Sequence, residues 1–292
     1  MAHFSSSFRY HKHLALGLAA CLLSISLASH AAPVRMVQGN NSIEAYAKGL
    51  LKLALSKVET EYDWQEPVPN TSEERIVNML ADNQLDVVWY ASTEGLEERF
   101  LPIRIPMYRG LLGYRVLMIQ KGTQHKFNNI KTLEDLSHFS LGQGRFWADT
   151  QVLESNGLKV VKVLKYEGLF YMLDGARFDA FPRGVHEPWS EMQRYSTLDL
   201  DVEQNILLSY INPFYFFVNK SNVGLAKDIE RGLRIAIEDG SFNEYFLNDP
   251  TVKDVITKAN LKDRLLIRLT NPGLPKQTPV DDKSLWFDPY SL

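Results

Sequence analysis

The chain has 292 residues, with 32 lysines and arginines against 35 acids, a formal net charge of −3, 45% apolar residues and a single cysteine. Without a basic excess it has no electrostatic means of holding nucleic acid or an anionic lipid surface. The length exceeds what one hydrophobic core usually serves, so two lobes are expected, and no Gly/Ser linker, repeat or low-complexity tract interrupts it.

Arg9 and Lys12 precede an uncharged apolar run over residues 14–28, followed by Ser29-His30-Ala31-Ala32. A basic start, a short apolar stretch and small residues at its end make a secretory signal. The run falls short of the ~20 apolar residues of a membrane span. Residues 1–31 are therefore expected to be removed near Ala31, leaving a soluble periplasmic chain. Losing Arg9, Lys12 and no acid leaves 30 bases against 35 acids, a net charge of −5. Cys21 lies inside the run, so the cleaved chain has no disulfide, thiolate nucleophile or cysteine metal ligand. Leu18-Ala19-Ala20-Cys21 also resembles a lipobox, in which Cys21 would carry a lipid. The residues after it, Leu22, Leu23, Ile25 and Leu27, stay apolar, which suits one continuous signal core better.

Residues 34–38 alternate as a strand, Gly39-Asn40-Asn41-Ser42 breaks it, and Ile43, Tyr46, Ala47, Leu50, Leu51 and Ala54 recur at helical spacing. Residues 62–68 read as a second strand. Thr71 with Glu74 forms a capping box for a helix through Ile76, Met79 and Leu80. Residues 85–90 are a third, mostly apolar strand, as in a sheet covered on both faces. Pro102 and Pro106 keep residues 103–119 extended. A second series follows: a short helix at 132–136, a strand and turn at 140–144, a helix at 149–156 closed by Gly157, a strand at 159–164, a helix at 167–174 closed by Gly175, and a buried strand at 178–181. Residues 207–210 and 215–218 are extended. Helices then cover 225–238, a turn capped by Ser241, and 252–259. The proline-rich tail from Pro272 reads as an extended strap on the surface. The expected fold class is α/β, with two lobes and a hinge of two crossing strands. Residues 32–112 and 215–292 form lobe 1, and residues 113–214 form lobe 2.

Several phrases, in this order, resemble the type II periplasmic solute-binding proteins, and within them the family 3 binders of polar amino acids that serve ABC transporters. They are Leu80-Ala81-Asp82-Asn83-Gln84-Leu85-Asp86-Val87-Val88-Trp89, Ile105-Pro106-Met107-Tyr108, Gly142-Gln143-Gly144, Gly175-Ala176-Arg177-Phe178-Asp179-Ala180, and Tyr215-Phe216-Phe217-Val218-Asn219-Lys220 leading to Ala236-Ile237-Glu238-Asp239-Gly240-Ser241-Phe242. The resemblance implies a small-molecule ligand gripped between the lobes, a membrane permease or sensor as partner, and a monomer. Sheet chemistry leads to the same cleft, because ligands of open α/β sheets bind beyond the carboxyl ends of the strands.

In the resembling family an arginine shortly after the third strand grips the ligand carboxylate. Arg99 is the nearest match and Arg104 its competitor, the plainer reading being a solvated arginine beside Glu97 and Glu98. The family's acid after the fourth strand of lobe 2 is replaced here by Arg183, within Pro182-Arg183-Gly184-Val185-His186-Glu187. With Arg145 at the preceding turn, it points to an anionic ligand. The plainer reading of Arg183 is an ion pair with Glu187. On the cleft reading, removing Arg183 weakens binding and leaves fold stability nearly unchanged. Trp147, Trp89, Tyr90 and Tyr46 are candidate aromatic walls, with core packing as the alternative for each. No nucleophile elbow, zinc-binding His-Glu-x-x-His or phosphate loop is present, and no cofactor or metal is expected. His186-Glu187 beside Arg183 keeps open a secreted, dehydratase-like enzyme on the same fold.

Overall fold

The computed structural model describes Met1 and residues 31–39, 41–69 and 71–291. The signal segment, Cys21 and the cleavage site therefore lie outside the described residues. Everything from Ala31 onward folds as one unit.

Strand β1 (Ala32–Val37) leads into helix α1 (Ser42–Leu55), then come β2 (Tyr62–Val68), α2 (Glu73–Ala81), β3 (Val87–Ala91), α3 (Glu94–Arg99) and β4 (Phe100–Ile103). β1 pairs in parallel with β2. β1 is tied to the start of β3 by the Asp86 N–H donating to Arg35 O at 2.9 Å and by an Arg35–Asp86 ion pair at 2.8 Å. After β4 the chain runs through β5 (Tyr114–Gln120), α4 (Leu133–Ser137), β6 (Ser140–Gly144), α5 (Ala148–Ser155), β7 (Lys159–Val163), α6 (Tyr166–Asp174), β8 (Ala180–Gly184), α7 (Pro188–Arg194), β9 (Leu200–Val202) and β10 (Ile206–Ser209). It returns with β11 (Phe214–Asn219), which lies antiparallel between β3 and β4. α8 (Val223–Glu238), α9 (Ser241–Asn248), α10 (Pro250–Lys258) and β12 (Leu265–Arg268) complete it.

The second sheet has seven strands in the order β12-β10-β5-β8-β6-β7, with β9 also on β5. β5 displays the two-residue period of a strand buried on both faces: Leu117 and Ile119 join one core, and Met118 joins the other with Phe170, Phe178 and Phe181. The remaining strands form a pair, β1-β2, and a three-stranded first sheet, β3-β11-β4, beside which α1 and α8 touch so closely that a β-carbon on Gly232 would lie 2.0 Å from Ala54 O. Only glycine allows that approach.

Local signals differ from expectation in four places. The Thr71–Glu74 box does not form: Ser72 sits at the cap of α2 without a side-chain bond, while Asn41 with Glu44 caps α1 and Thr132 with Asp135 caps α4. Helices α3 and α7, only 6 and 7 residues long, carry too few turns for a periodic pattern to register. The division giving 215–292 to lobe 1 misses β12, which pairs in parallel with β10 on the edge of the second sheet. The tail is not merely laid on the surface, since Leu285 and Phe287 are buried in the first core and Phe287 packs 5.5 Å from Phe246.

The chain thus passes from the first sheet to the second before Tyr114 and back before Phe214. It then goes over again from α10 to β12 and returns through the tail. Arg115 at the start of β5 pins the two main crossings. Its guanidinium pairs with Asp149 at 2.8 Å and lies 4.8 Å over the ring of Tyr210, whose hydroxyl also bonds Asp149.

Candidate functional site

β6, β7 and β8 are parallel, so the segments after their carboxyl ends, Arg145–Trp147, Leu164–Tyr166 and Val185–Glu187, lie along one edge of the second sheet. Against that edge stands a cavity of about 610 Å³. Its lobe 2 wall is Tyr166, His186, Glu187 at the cap of α7, and Ser190, Glu191 and Arg194 of α7; its lobe 1 wall is Ser42 at the start of α1 with Pro250, Thr251 and Asp254 of α10. The volume falls within the range of small-molecule pockets.

Arg183 stands behind this wall, 7% exposed. Its terminal nitrogen meets Glu187 Oε1 and Glu191 Oε1, each at 2.6 Å, and its Nε donates to Glu191 Oε2 at 2.9 Å. The guanidinium carbon also lies 4.9 Å from the Phe181 ring, 5.2 Å from Trp147 and 5.7 Å from Tyr166. Burial works against its charge, and the two carboxylates outweigh burial, so its pKa stays above the ordinary value. Glu187 is fixed further by the Gly184 N–H at 2.6 Å, and Glu191 by the Tyr166 hydroxyl at 2.6 Å. Burial and then Glu191 push the Tyr166 phenol upward. The cluster of one guanidinium and two carboxylates carries a net negative charge toward the cleft.

His186 lines the same cavity, and its Nδ1 has no hydrogen-bond partner among the described residues. Burial, then Arg115 and Arg183, lower its pKa to about 4, so the ring is neutral near pH 7. Arg194 is exposed, lies 5.7 Å over Tyr195 and meets no carboxylate among the described residues. Asp254 pairs with Lys258 at 2.8 Å.

The residues expected to grip an anion do not converge. Arg183 is neutralised as described. Arg99 ends α3, bonds Asn78 Oδ1 at 3.3 Å and lies against the Phe100 ring. Its competitor Arg104 is paired with Glu97, which also accepts from Ser92 Oγ at 2.6 Å. Arg145 is exposed beside Phe146, itself 85% exposed, with only its backbone engaged, to Val163 O. Tyr46 is a core residue, 1% exposed, stacked 4.0 Å from Tyr108 and donating to Met107 O at 2.8 Å. Trp89 and Tyr90 line a separate small pocket of about 190 Å³ in lobe 1, with Glu44 and Glu73. Burial and these two carboxylates raise the Tyr90 phenol. Trp147 caps α5 and contributes to the rings around Arg183.

Glu191, Ser190, Arg194, Tyr166 and the α10 residues were missed in the sequence. One signal was present: Pro188 at the first helical position marks the start of α7, and a helix there places Glu187 and Glu191 on one face.

No family model matches the chain, and no curated protein matches it. Among solved structures, the extracellular-binding protein ytmK of Bacillus subtilis, assigned to an amino-acid ABC transporter, superposes with a TM-score of 0.54 at 17% identity, covering 76% of this chain and 98% of that one. The second substrate-binding domain assigned to an amino-acid ABC transporter of Streptococcus pneumoniae gives 0.50 at 14% identity, over 75% and 99%. The chain has the two-lobed α/β fold of these extracytoplasmic binding proteins.

Proposed function

We propose that the protein is an extracytoplasmic solute-binding protein that closes over a small polar ligand and delivers it to a transporter permease or a membrane sensor. The observation that carries this reading is the cavity of about 610 Å³ walled by both lobes. Rotation about the crossings would bury a ligand there. The two superposed proteins are assigned to amino-acid transporters, which supports the same class of solute. Among the described residues no helix is long and apolar enough to cross a membrane. Placement in the periplasm rests on the signal read in residues 1–31, with a lipid on Cys21 as the variant reading, and the monomeric state rests on the family resemblance alone.

The charge of the ligand follows from the pairing of Arg183. Glu187 and Glu191 share the one charge of Arg183 and so leave a surplus negative charge on the wall, while Asp254 is paired with Lys258. Arg194 is a guanidinium that meets no carboxylate among the described residues, so the lining offers one acid and one base, the pattern of a zwitterion. This lining suits an amino acid better than the anion expected from the sequence. A thermal-shift screen of amino acids, amines and dicarboxylates tests both points. A ligand at 100 times its Kd should stabilise the fold by about 2.7 kcal/mol, with amino acids ahead of amines and dicarboxylates. A dicarboxylate as the best ligand would reverse the charge assignment, and stabilisation by no solute would count against binding itself.

The enzyme reading has one observation in its favour, the neutral His186 with an unpartnered ring nitrogen in the cavity wall. Recovery of the bound ligand chemically unchanged decides for a binder, and its conversion by the purified protein decides for an enzyme.

A further inference from the structure

A cavity larger than the cleft lies elsewhere among the described residues. It is a half-open space of about 770 Å³ where the C-terminal tail passes over the segments joining the lobes. Its walls come from the first crossing at Gly110 and Tyr114, the second at Tyr210 and Ile211, the edge strand β12, and the tail itself. We propose that this cavity binds a small amphipathic anion, with an apolar or aromatic body and one acidic group. The inference does not depend on what the cleft binds.

The aromatic walls offer a ligand almost nothing polar. Trp286 spends its indole N–H on Pro279 O at 2.9 Å, and Tyr114 its hydroxyl on Phe287 O at 3.2 Å. Tyr290 donates to Arg264 O at 3.1 Å, and Tyr210 bonds Asp149. What remains facing the space is ring surface, with Ile211 37%, Val280 41% and Tyr290 46% exposed. Single exposed apolar residues are ordinary, but one from the second crossing and two from the tail converging on one cavity form a patch that marks a binding surface.

The charge around this surface is basic. Arg268 and Lys283 line the cavity, are exposed and meet no carboxylate among the described residues. Arg109 is already engaged with Asn243, Ser284 O and the Phe246 ring. Among the described residues Asp288 is the one acid in the lining. An anionic group at Arg268 and Lys283, with its apolar body against Tyr114, Ile211 and Trp286, satisfies both halves of the site. A guanidinium beside an aromatic wall also suits a planar acid.

The probe is 8-anilinonaphthalene-1-sulfonate, one sulfonate on a fused aromatic body, titrated into the folded full chain while its fluorescence is excited through tryptophan. One saturable site is expected. Arg268→Glu should weaken it at least about tenfold, because the charge opposite the sulfonate is inverted, and Ile211→Asp should weaken it similarly. Arg145→Glu, beside the exposed pair Phe146 and Leu164 on the lobe 2 rim, should leave it unchanged. Thermal melts confirm that the variants remain folded, and Arg268, exposed at the end of an edge strand, keeps the test interpretable if Ile211→Asp does not fold. The proposal is overturned by the absence of saturable binding, by equal binding to parent and Arg268→Glu, or by a loss confined to Arg145→Glu. Binding of a solute in the cleft, measured separately, stands or falls independently of each result.

Discussion

Arg183 brings a positive charge into a position almost closed to water, and Glu187 and Glu191 decide what that charge does. Glu191 is itself only 8% exposed at its side chain. Truncating one partner of a buried pair leaves the other uncompensated, which costs about 3–5 kcal/mol. Arg183→Met should therefore lower the unfolding free energy by that order in urea, where a free cleft arginine would have left it nearly unchanged. A loss under about 0.5 kcal/mol, the range of an ordinary surface substitution, would show that the triad does not hold the fold. His186 adds a pH dependence. Its folded-state pKa of about 4 lies below the ordinary value of 6.5. Between those values the unfolded chain binds the proton that the folded chain excludes, so stability rises with pH across this window and is lost as the medium is acidified through it. A shift of this size amounts to at most about 3–4 kcal/mol. Denaturation of the parent and of His186→Asn at pH 7.5 and 4.5 should show a smaller acid loss in the variant. Equal losses would assign the acid sensitivity to other groups.

At the scale of the element, the tail illustrates how a segment without periodicity can still be structural. Trp286 rests on Gly110, where φ is +77° and a β-carbon would come within 2.6 Å of the indole. Phe287 donates its N–H to Arg109 O at 2.6 Å while its ring enters the first core. Removing a buried phenylalanine typically costs about 3–5 kcal/mol. Phe287→Ala should cost that order in urea, against under about 0.5 kcal/mol for a strap lying on the surface. The prolines at 272, 275, 279 and 289 suggested an extended strap over a stretch that holds two 3-10 turns, Lys283–Leu285 and Pro289–Ser291. They could not indicate that two residues between them would be core, because the tail pattern has no repeat from which burial can be read. Capping signals behaved similarly. Asn41 and Thr132 realise their boxes, whereas Thr71–Glu74 lies one residue out of register with the helix that Ser72 begins.

For the whole molecule, the residues buried in β5 and the amphipathic spacing of α1 and α8 follow directly from the order of side chains, because strand and helix periods are local and repeat over many residues. That was enough for an α/β chain with two lobes, for most element positions and for a cleft at the strand ends, but not for the division of the strands among three sheets. The candidate site was much less legible. Arg183, Trp147 and the His186-Glu187 pair do lie at or just behind the cavity, but Tyr46 went to the core, Arg99 to the end of α3 and Arg104 to Glu97. The sequence by itself determined which segments form strands and helices and which residues must leave water. The tertiary structure decided which charges meet, that β12 returns to the second sheet beside β10, and that a tail residue completes the first core. The reason is range. Hydrophobic patterning is written within a few residues, whereas an ion pair or a cavity wall exists only where segments distant along the chain come within a few ångströms, and a charge left free or neutralised at that distance reverses what the same residue does.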